Sequence, residues 1–351
     1  MTYEEFLLKV PKVELHIHYE GSIRATTFVE LAKKNGVPLA TDDPSRVYEF
    51  PIYGFFPVYQ SVCDSIVTRD EFTRTTYESL EDGVRFGNLR YREMFVDLRY
   101  HLRKGKSYST VIDGMIDGIR AAERDYGVGC RLIPTIDRTE PPGAAVDLVR
   151  TMLDNPRDEV IAVGMASAEA LGAPELFVEA YELARKGGLH RTAHACEDGP
   201  PKNVATCLDL LHCERIDHGY YVLEDEELVR RVRDEGVPFN CVIQIASMLW
   251  GWRKHPVKEM FERGLKVTVS PDDPTMMHCD LGREYLSVGM VFNFGPKQIR
   301  DICLNGVDAA FLDEGERRTL RQELESKIDE LAGKLEDLPP EALAYFREAK
   351  N

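Results

Sequence analysis

Four short runs along the chain gather histidine and carboxylate in spacings that could hold a metal ion: His16-Ile17-His18, His194-Ala195-Cys196-Glu197, Asp217-His218-Gly219 and Asp272-Asp273-Pro274. Three neutral imidazoles and one carboxylate suit a borderline divalent ion such as Zn²⁺, with a position left for water. Extended backbone alternates its side chains between two faces, so His16 and His18 project the same way and Ile17 the other. A single His-x-His is a weak signal. The joint pattern is stronger, because histidines that merely fill a core would not account for clustered polar residues in all four runs.

The elements that must position these runs recur along the whole chain as a short β-rich segment followed by a helical one. Candidate strands are Val13–His18, Leu89–Asp97, Arg131–Ile136, Val160–Ala166, Arg191–Glu197, Arg215–Gly219, Pro238–Val242 and Lys266–Asp273. Ala144–Leu153, Glu175–Lys186, Glu224–Glu235 and Pro256–Arg263 read as amphipathic helices between them. Eight strands alternating with helices predict an α/β fold, a (β/α)8 TIM barrel, whose catalytic face is built at the C-terminal strand ends. The four runs fall at such ends, on strands one, five, six and eight. The segment from Asn35 to Ser79, with its aromatic stretch Phe50–Tyr59, exceeds an ordinary connection and reads as a helical insertion, either a lid over the mouth or a packed excursion. Residues 315–351 read as charged surface helices, and without a flexible linker the span 1–351 is expected to be one barrel domain.

Composition narrows the function classes. The 351 residues carry a formal charge of −16, which disfavours nucleic acid and anionic lipid as partners. No apolar run has the roughly 18 residues of a membrane span. The opening Met1-Thr2-Tyr3-Glu4-Glu5-Phe6 is unlike a signal peptide. The eight cysteines form no Cys-x-x-Cys pair and are expected to be reduced core thiols in a cytoplasmic protein. Self-association into a homo-oligomer is left open.

With these motifs in view, the chain resembles the adenosine/adenine deaminase family of the amidohydrolase barrels, from Pro11 to about Leu312. The resemblance is carried by Pro11-Lys12-Val13-Glu14-Leu15-His16-Ile17-His18 with Glu20-Gly21-Ser22, by His194-Ala195-x-Glu197, by Ile216-Asp217-His218-Gly219 and by Asp272-Asp273-Pro274. It implies His16, His18, His194 and Asp272 as metal ligands, and Glu197, His218 and Asp273 as the acid/base group. Binuclear amidohydrolases place a bridging lysine on strand four; Val160-Ile161-Ala162-Val163-Gly164-Met165 has none, so one ion is implied, Zn²⁺ or alternatively Fe²⁺. The implied reaction is hydrolytic deamination of a 6-aminopurine, with Asp273 accepting a proton from water, His218 orienting it and Glu197 protonating ring N1. The His-x-Glu…Pro-Cys-x-x-Cys signature of the small zinc deaminases is absent.

Several segments lean toward the adenine (free-base) branch: Tyr91-x-Glu93-x-Phe95-x-Asp97 with His101, Glu197-Asp198-Gly199-Pro200-Pro201, and Gly164-x-x-Ser167-Ala168-Glu169. Nucleoside deaminases of the family carry glycine where Glu169 falls, so Glu169 is expected to accept an N–H that only a free base offers. Glu20, Glu169, Gly164 and Cys196 are the candidate substrate contacts. Departures from the family are Cys196 for a glycine, Ala166 for an aspartate, Tyr19 for a leucine, and Cys241-Val242-Ile243-Gln244-Ile245 for a Cys-Pro-x-Ser-Asn pattern. They imply an altered pocket, leaving modified adenines or aminodeoxyfutalosine-like nucleosides as alternatives. A lactone or phosphoester hydrolase and a non-catalytic purine-binding barrel are the remaining readings. His101, His190, His212, His255 and His278 receive no role, and Trp250 and Trp252 read as loop packing or as a purine-stacking pair.

Overall fold

Alternating β-favouring and amphipathic runs produce eight strands in the sequential order β1 to β8, every paired neighbour parallel. The computed structural model describes residues 1–49, 54–250 and 255–336. Its strands are β1 Lys12–Glu14, β2 Leu89–Val96, β3 Gly129–Asp137, β4 Ala162–Ala166, β5 His190–Ala195, β6 Arg215–His218, β7 Pro238–Cys241 and β8 Lys266–Val269. A bridge between Ile17 and Asp272 returns the last edge to the first. There His18 N–H donates to the Asp272 carbonyl at 2.9 Å and Asp272 N–H to the His16 carbonyl at 3.1 Å. The ring is closed by the backbone of residues expected to be ligands.

Six strands end before their expected residues, β2, β6 and β7 by a single residue and three by two or more, each of these for a local reason. β1 ends at Glu14 rather than His18 because the Leu15 and His16 N–H groups donate to Ser270 Oγ, at 3.1 and 3.2 Å, instead of to a strand. β8 ends at Val269 rather than Asp273 because Pro271 has no N–H to give and Asp272 turns left-handed at φ 64°. β5 ends at Ala195, before Glu197, because Cys196 is left-handed at φ 58°. The expected helices recur with shifted ends, as in Pro142–Asp154, Glu226–Asp234 and Pro256–Glu262. The expected Glu175–Lys186 helix starts as a 3-10 turn and becomes α-helical at Val178.

Between β1 and β2 lie helices Ala25–Asn35, Phe55–Ser65 and Arg69–Gly87. The last is fixed at its start by a capping box, Thr68 Oγ1 accepting from Glu71 N–H while Glu71 takes the Thr68 N–H. Residues 50–53 of the aromatic stretch, Trp252, and 337–351 of the expected terminal helices lie outside the described residues. Helix Glu314–Ala332 is partly embedded, with Leu324, Ile328 and Leu331 buried. Among the described residues no helix is long and apolar enough to cross a membrane. All eight cysteines are buried and unbridged.

The main apolar core fills the layer between strands and helices, while a small cluster of Phe95, Ile133, Ala162 and Phe311 plugs the barrel. Below it Glu93 pairs with Arg215, whose guanidinium lies 3.9 Å from the Phe311 ring centroid. That plug leaves the upper, C-terminal end of the barrel for polar groups.

Candidate metal centre and catalytic cleft

The side chains of His16, His18, His194 and Asp272 converge above Phe95. One ligand atom from each lies within 4.8 Å of all the others. His194 Nε2 is 3.1 Å from His16 Nε2 and 3.2 Å from His18 Nε2, and Asp272 Oδ1 is 3.3 Å from both of those rings. Four donors about 2.0–2.1 Å from one ion stand about 3.3–3.4 Å apart, so these separations fit a tetrahedral edge. Imidazole nitrogens this close to one another must share either a proton or a metal ion. Burial opposes charge on His16, yet Asp272, Asp217 and the Asn240 carbonyl together outweigh it and raise that ring to about 9. His194 is held well below the usual histidine range by burial and by its neighbours His16, His218 and His18.

Outer partners orient the rings. His16 Nδ1 faces the Asn240 carbonyl at 3.2 Å, leaving Nε2 for an ion. His194 Nδ1 points toward Asp217 Oδ2 at 3.6 Å. Asp217 accepts from Thr192 Oγ1 at 2.8 Å and from Asn240 Nδ2 at 2.7 Å, and Thr268 Oγ1 donates to Asn240 Oδ1 at 2.8 Å. Strand register sets this chain, pairing His194 with Asp217, Asp217 with Asn240 and Asn240 with Thr268. The sequence reading gave Asp217 and Asn240 no role. Their signal was an acid and an amide at the interior positions of otherwise apolar strands.

Cys196, His218 and Asp272 all have positive φ, 58°, 68° and 64°. Each such residue costs on the order of 1–3 kcal/mol, and here the turn re-aims a strand-end side chain or redirects the loop. His218 Nε2 lies 3.5 Å from Glu197 Oε2 and 3.9 Å from Asp272 Oδ2. Tyr220 OH donates to the Val242 carbonyl, so it accepts from His218 Nδ1 at 3.2 Å and leaves Nε2 as the acceptor facing the cleft. The cleft opens at His18 and Glu197, whose side chains are 12% and 34% exposed. Desolvation, then the Asp272 charge, raises Glu197 to about 8. Asp273 is pushed well above the carboxylate range by burial, then by Asp272, Glu20 and Glu197. Its Oδ1 is buried without a hydrogen-bond partner. A cation among the four donors is the charge that would offset this crowding.

Glu20 is fully buried beside this group. Its Oε1 accepts from Asp97 N–H at 3.1 Å and from His101 Nε2 at 3.0 Å, and its Oε2 from Tyr59 OH at 2.9 Å. Lys106 Nζ donates to His101 Nδ1 at 3.1 Å. His101, unassigned from sequence, thus anchors Glu20. Tyr59, on helix Phe55–Ser65, brings the inserted helices to the site.

Three expected substrate contacts face elsewhere. Glu169 accepts from the N–H groups of Cys196, Glu197 and Gly199 at 2.8, 3.1 and 3.0 Å, and from Asn203 Nδ2 at 2.7 Å. Asp198 N–H adds a longer bond at 3.4 Å. A carboxylate offers about four acceptor sites, so none is left for a purine N–H. Cys196 Sγ donates to the Pro200 carbonyl at 3.0 Å, within its own loop. Gly164 faces Phe95, whose ring would lie 2.8 Å from a Cβ placed there. Tyr19 is buried against Thr75 and Phe72, away from the ligands. Ile243 and Gln244 N–H groups, in the divergent segment after β7, are held by Glu284 at 2.6 and 3.2 Å.

Comparison with known proteins agrees with this fold. Residues 11–327 match the family model described as adenosine deaminase. A Zn-bound amidohydrolase from Burkholderia ambifaria superposes with TM-score 0.89 at 34% identity, covering 94% of this chain and 93% of that one. The chain is 33% identical to an adenine deaminase of Streptomyces coelicolor, over 90% of this chain and 94% of the relative. It is 28% identical to an adenosine deaminase of Clostridium acetobutylicum, over 93% of this chain and 100% of the relative.

Proposed function

The chain belongs to the adenosine deaminase family of purine-deaminating hydrolases, and from that premise we propose that it is a zinc-dependent aminohydrolase of a 6-aminopurine, an adenine-type base or adenosine-like nucleoside. The observation that carries the reading is the placement of Glu197, His218 and Asp273 around one cluster of four ligand atoms. His16, His18, His194 and Asp272 would hold the ion. A divalent ion there supplies Lewis acidity, which brings the pKa of a neighbouring water from 15.7 toward about 7.

The chain's own groups then divide the proton work. Asp273, with a free buried Oδ1, takes a proton from the attacking water. His218 orients that water through Nε2. Glu197, carrying a proton below about pH 8, delivers it to N1 as the oxygen–C6 bond forms and electron density moves onto the ring. General acid catalysis of this kind contributes typically about 10²–10⁴-fold. Collapse breaks the C6–N bond as the proton held by Asp273 passes to the amino group, so that ammonia leaves. The C6 hydroxyl gives up its remaining proton, which restores the one Glu197 delivered, and the 6-oxopurine remains.

Burial opposes charge on Glu20, yet the hydrogen bond and charge of His101 keep its carboxyl below the usual range and ionised. That negative charge beside the cleft opposes a phosphate, so a base or nucleoside is the substrate rather than a nucleotide. With Glu169 occupied by backbone, preference for the free base has lost its expected carrier. The Tyr59 contact with Glu20 supports a covering role for the inserted helices. Ammonia release from adenine, adenosine, their N6-substituted forms and AMP tests the reading. Turnover of a base or nucleoside with little for AMP is expected; hydrolysis of none of them contradicts it.

A further inference from the structure

Glu169 stands in the 3-10 turn Glu169–Leu171 that follows β4, yet every hydrogen bond it accepts comes from the loop after β5 or the helix start beyond it. Four consecutive N–H groups, from Cys196 to Gly199, point at one carboxylate. Such a run of convergent amides is an anion-binding nest, made here by the left-handed turn at Cys196. Gly199 passes so close that a Cβ would lie 2.4 Å from Glu169 Cδ.

The second residue of that nest is Glu197. Without Glu169, four partly buried amides would lack an acceptor and would draw the nearest anion, and the Glu197 carboxylate is attached to the same loop. We propose that Glu169 is a positioning residue: it fills the nest, fixes the loop, and so keeps the Glu197 carboxyl aimed at the cleft beside His218 instead of folding back onto its own backbone. Its charge also adds to those that keep Glu197 protonated. The inference rests on the reading of Glu197 as proton donor.

Glu169→Gln keeps the shape but turns an NH₂ toward N–H donors. With zinc content unchanged, kcat should fall about 10²-fold, the usual cost of an ångström of misplacement, with KM within about threefold. The amides of residues 196–199 should exchange hydrogen faster than in the wild type, a readout independent of turnover. In the Glu169→Gln/Glu197→Gln double variant the loss should not exceed that of Glu197→Gln alone, because the two act through one proton transfer. Gly199→Ala, which pushes on the carboxylate from the loop side, should give the same pattern and carries the test if Glu169→Gln does not fold. Unchanged exchange at 196–199, or losses that multiply in the double variant, would overturn the proposal. Full activity of Glu197→Gln would instead overturn the reading beneath it.

Discussion

Gly21 lies directly under the Asp273 carboxylate: a Cβ on Gly21 would fall 1.8 Å from Asp273 Oδ1. The backbone after β1 therefore serves as the seat of the expected base, and only hydrogen fits between them. Thr275 N–H donates to the Gly21 carbonyl at 3.1 Å, tying the two loops together.

Gly21→Ala should accordingly displace Asp273 and lower kcat by about 10²-fold. Metal analysis should find the four-ligand site still loaded. Steady-state kinetics at wild-type rate would show that Asp273 does not need this seat.

The proton on Glu197 sets a pH limit. Its carboxyl is raised to about 8 by desolvation and then by Asp272, and the protonated form is the donor. As pH rises through about 8 that form disappears, so kcat should decline about tenfold per further unit. Glu197→Gln should retain metal and lose about 10²–10⁴-fold in turnover. A flat profile to about pH 10, or an active Gln variant, would remove Glu197 from the mechanism.

Asp217 lies behind His194, its Oδ2 3.6 Å from Nδ1. Asp217→Asn would turn an NH₂ toward either Thr192 or Asn240, both of which donate to it. Competition with a chelator should show metal affinity weakened about 10–100-fold, the usual cost of losing an outer partner. Equal affinities in variant and wild type would make Asp217 a packing residue.

Lys106 acts at the opposite wall. Its ammonium donates to His101 Nδ1, which fixes the tautomer that presents Nε2–H to Glu20. Lys106→Met should loosen Glu20 and raise KM about tenfold, the equivalent of one charge-assisted hydrogen bond of about 1.4 kcal/mol, with kcat little changed. If KM stays put while kcat drops, Glu20 contributes to chemistry rather than to binding.

Much of the barrel, and the convergence of four polar side chains at its C-terminal end, was legible because polar residues interrupt apolar strands at matching ends. His16, His18, His194 and Asp272 announce themselves by type and spacing. Strand ends were less legible: nothing local reveals that Ser270 would take the Leu15 and His16 amides. The backbone partners of Glu169 were hidden for a related reason. A carboxylate's partner depends on which backbone passes by, and the amides it serves lie about thirty residues downstream. Tyr59 and His101 meet Glu20 only through tertiary packing, so those contacts could not be read from the sequence, although His101 follows one of the segments that carry the resemblance.

Ammonia release from the preferred aminopurine, measured on one preparation before chelation, after it, and after return of one equivalent of zinc, tests the account most directly. Turnover should vanish on stripping and return with the ion, Fe²⁺ being the alternative that restores it. Undiminished turnover by metal-free protein would contradict it.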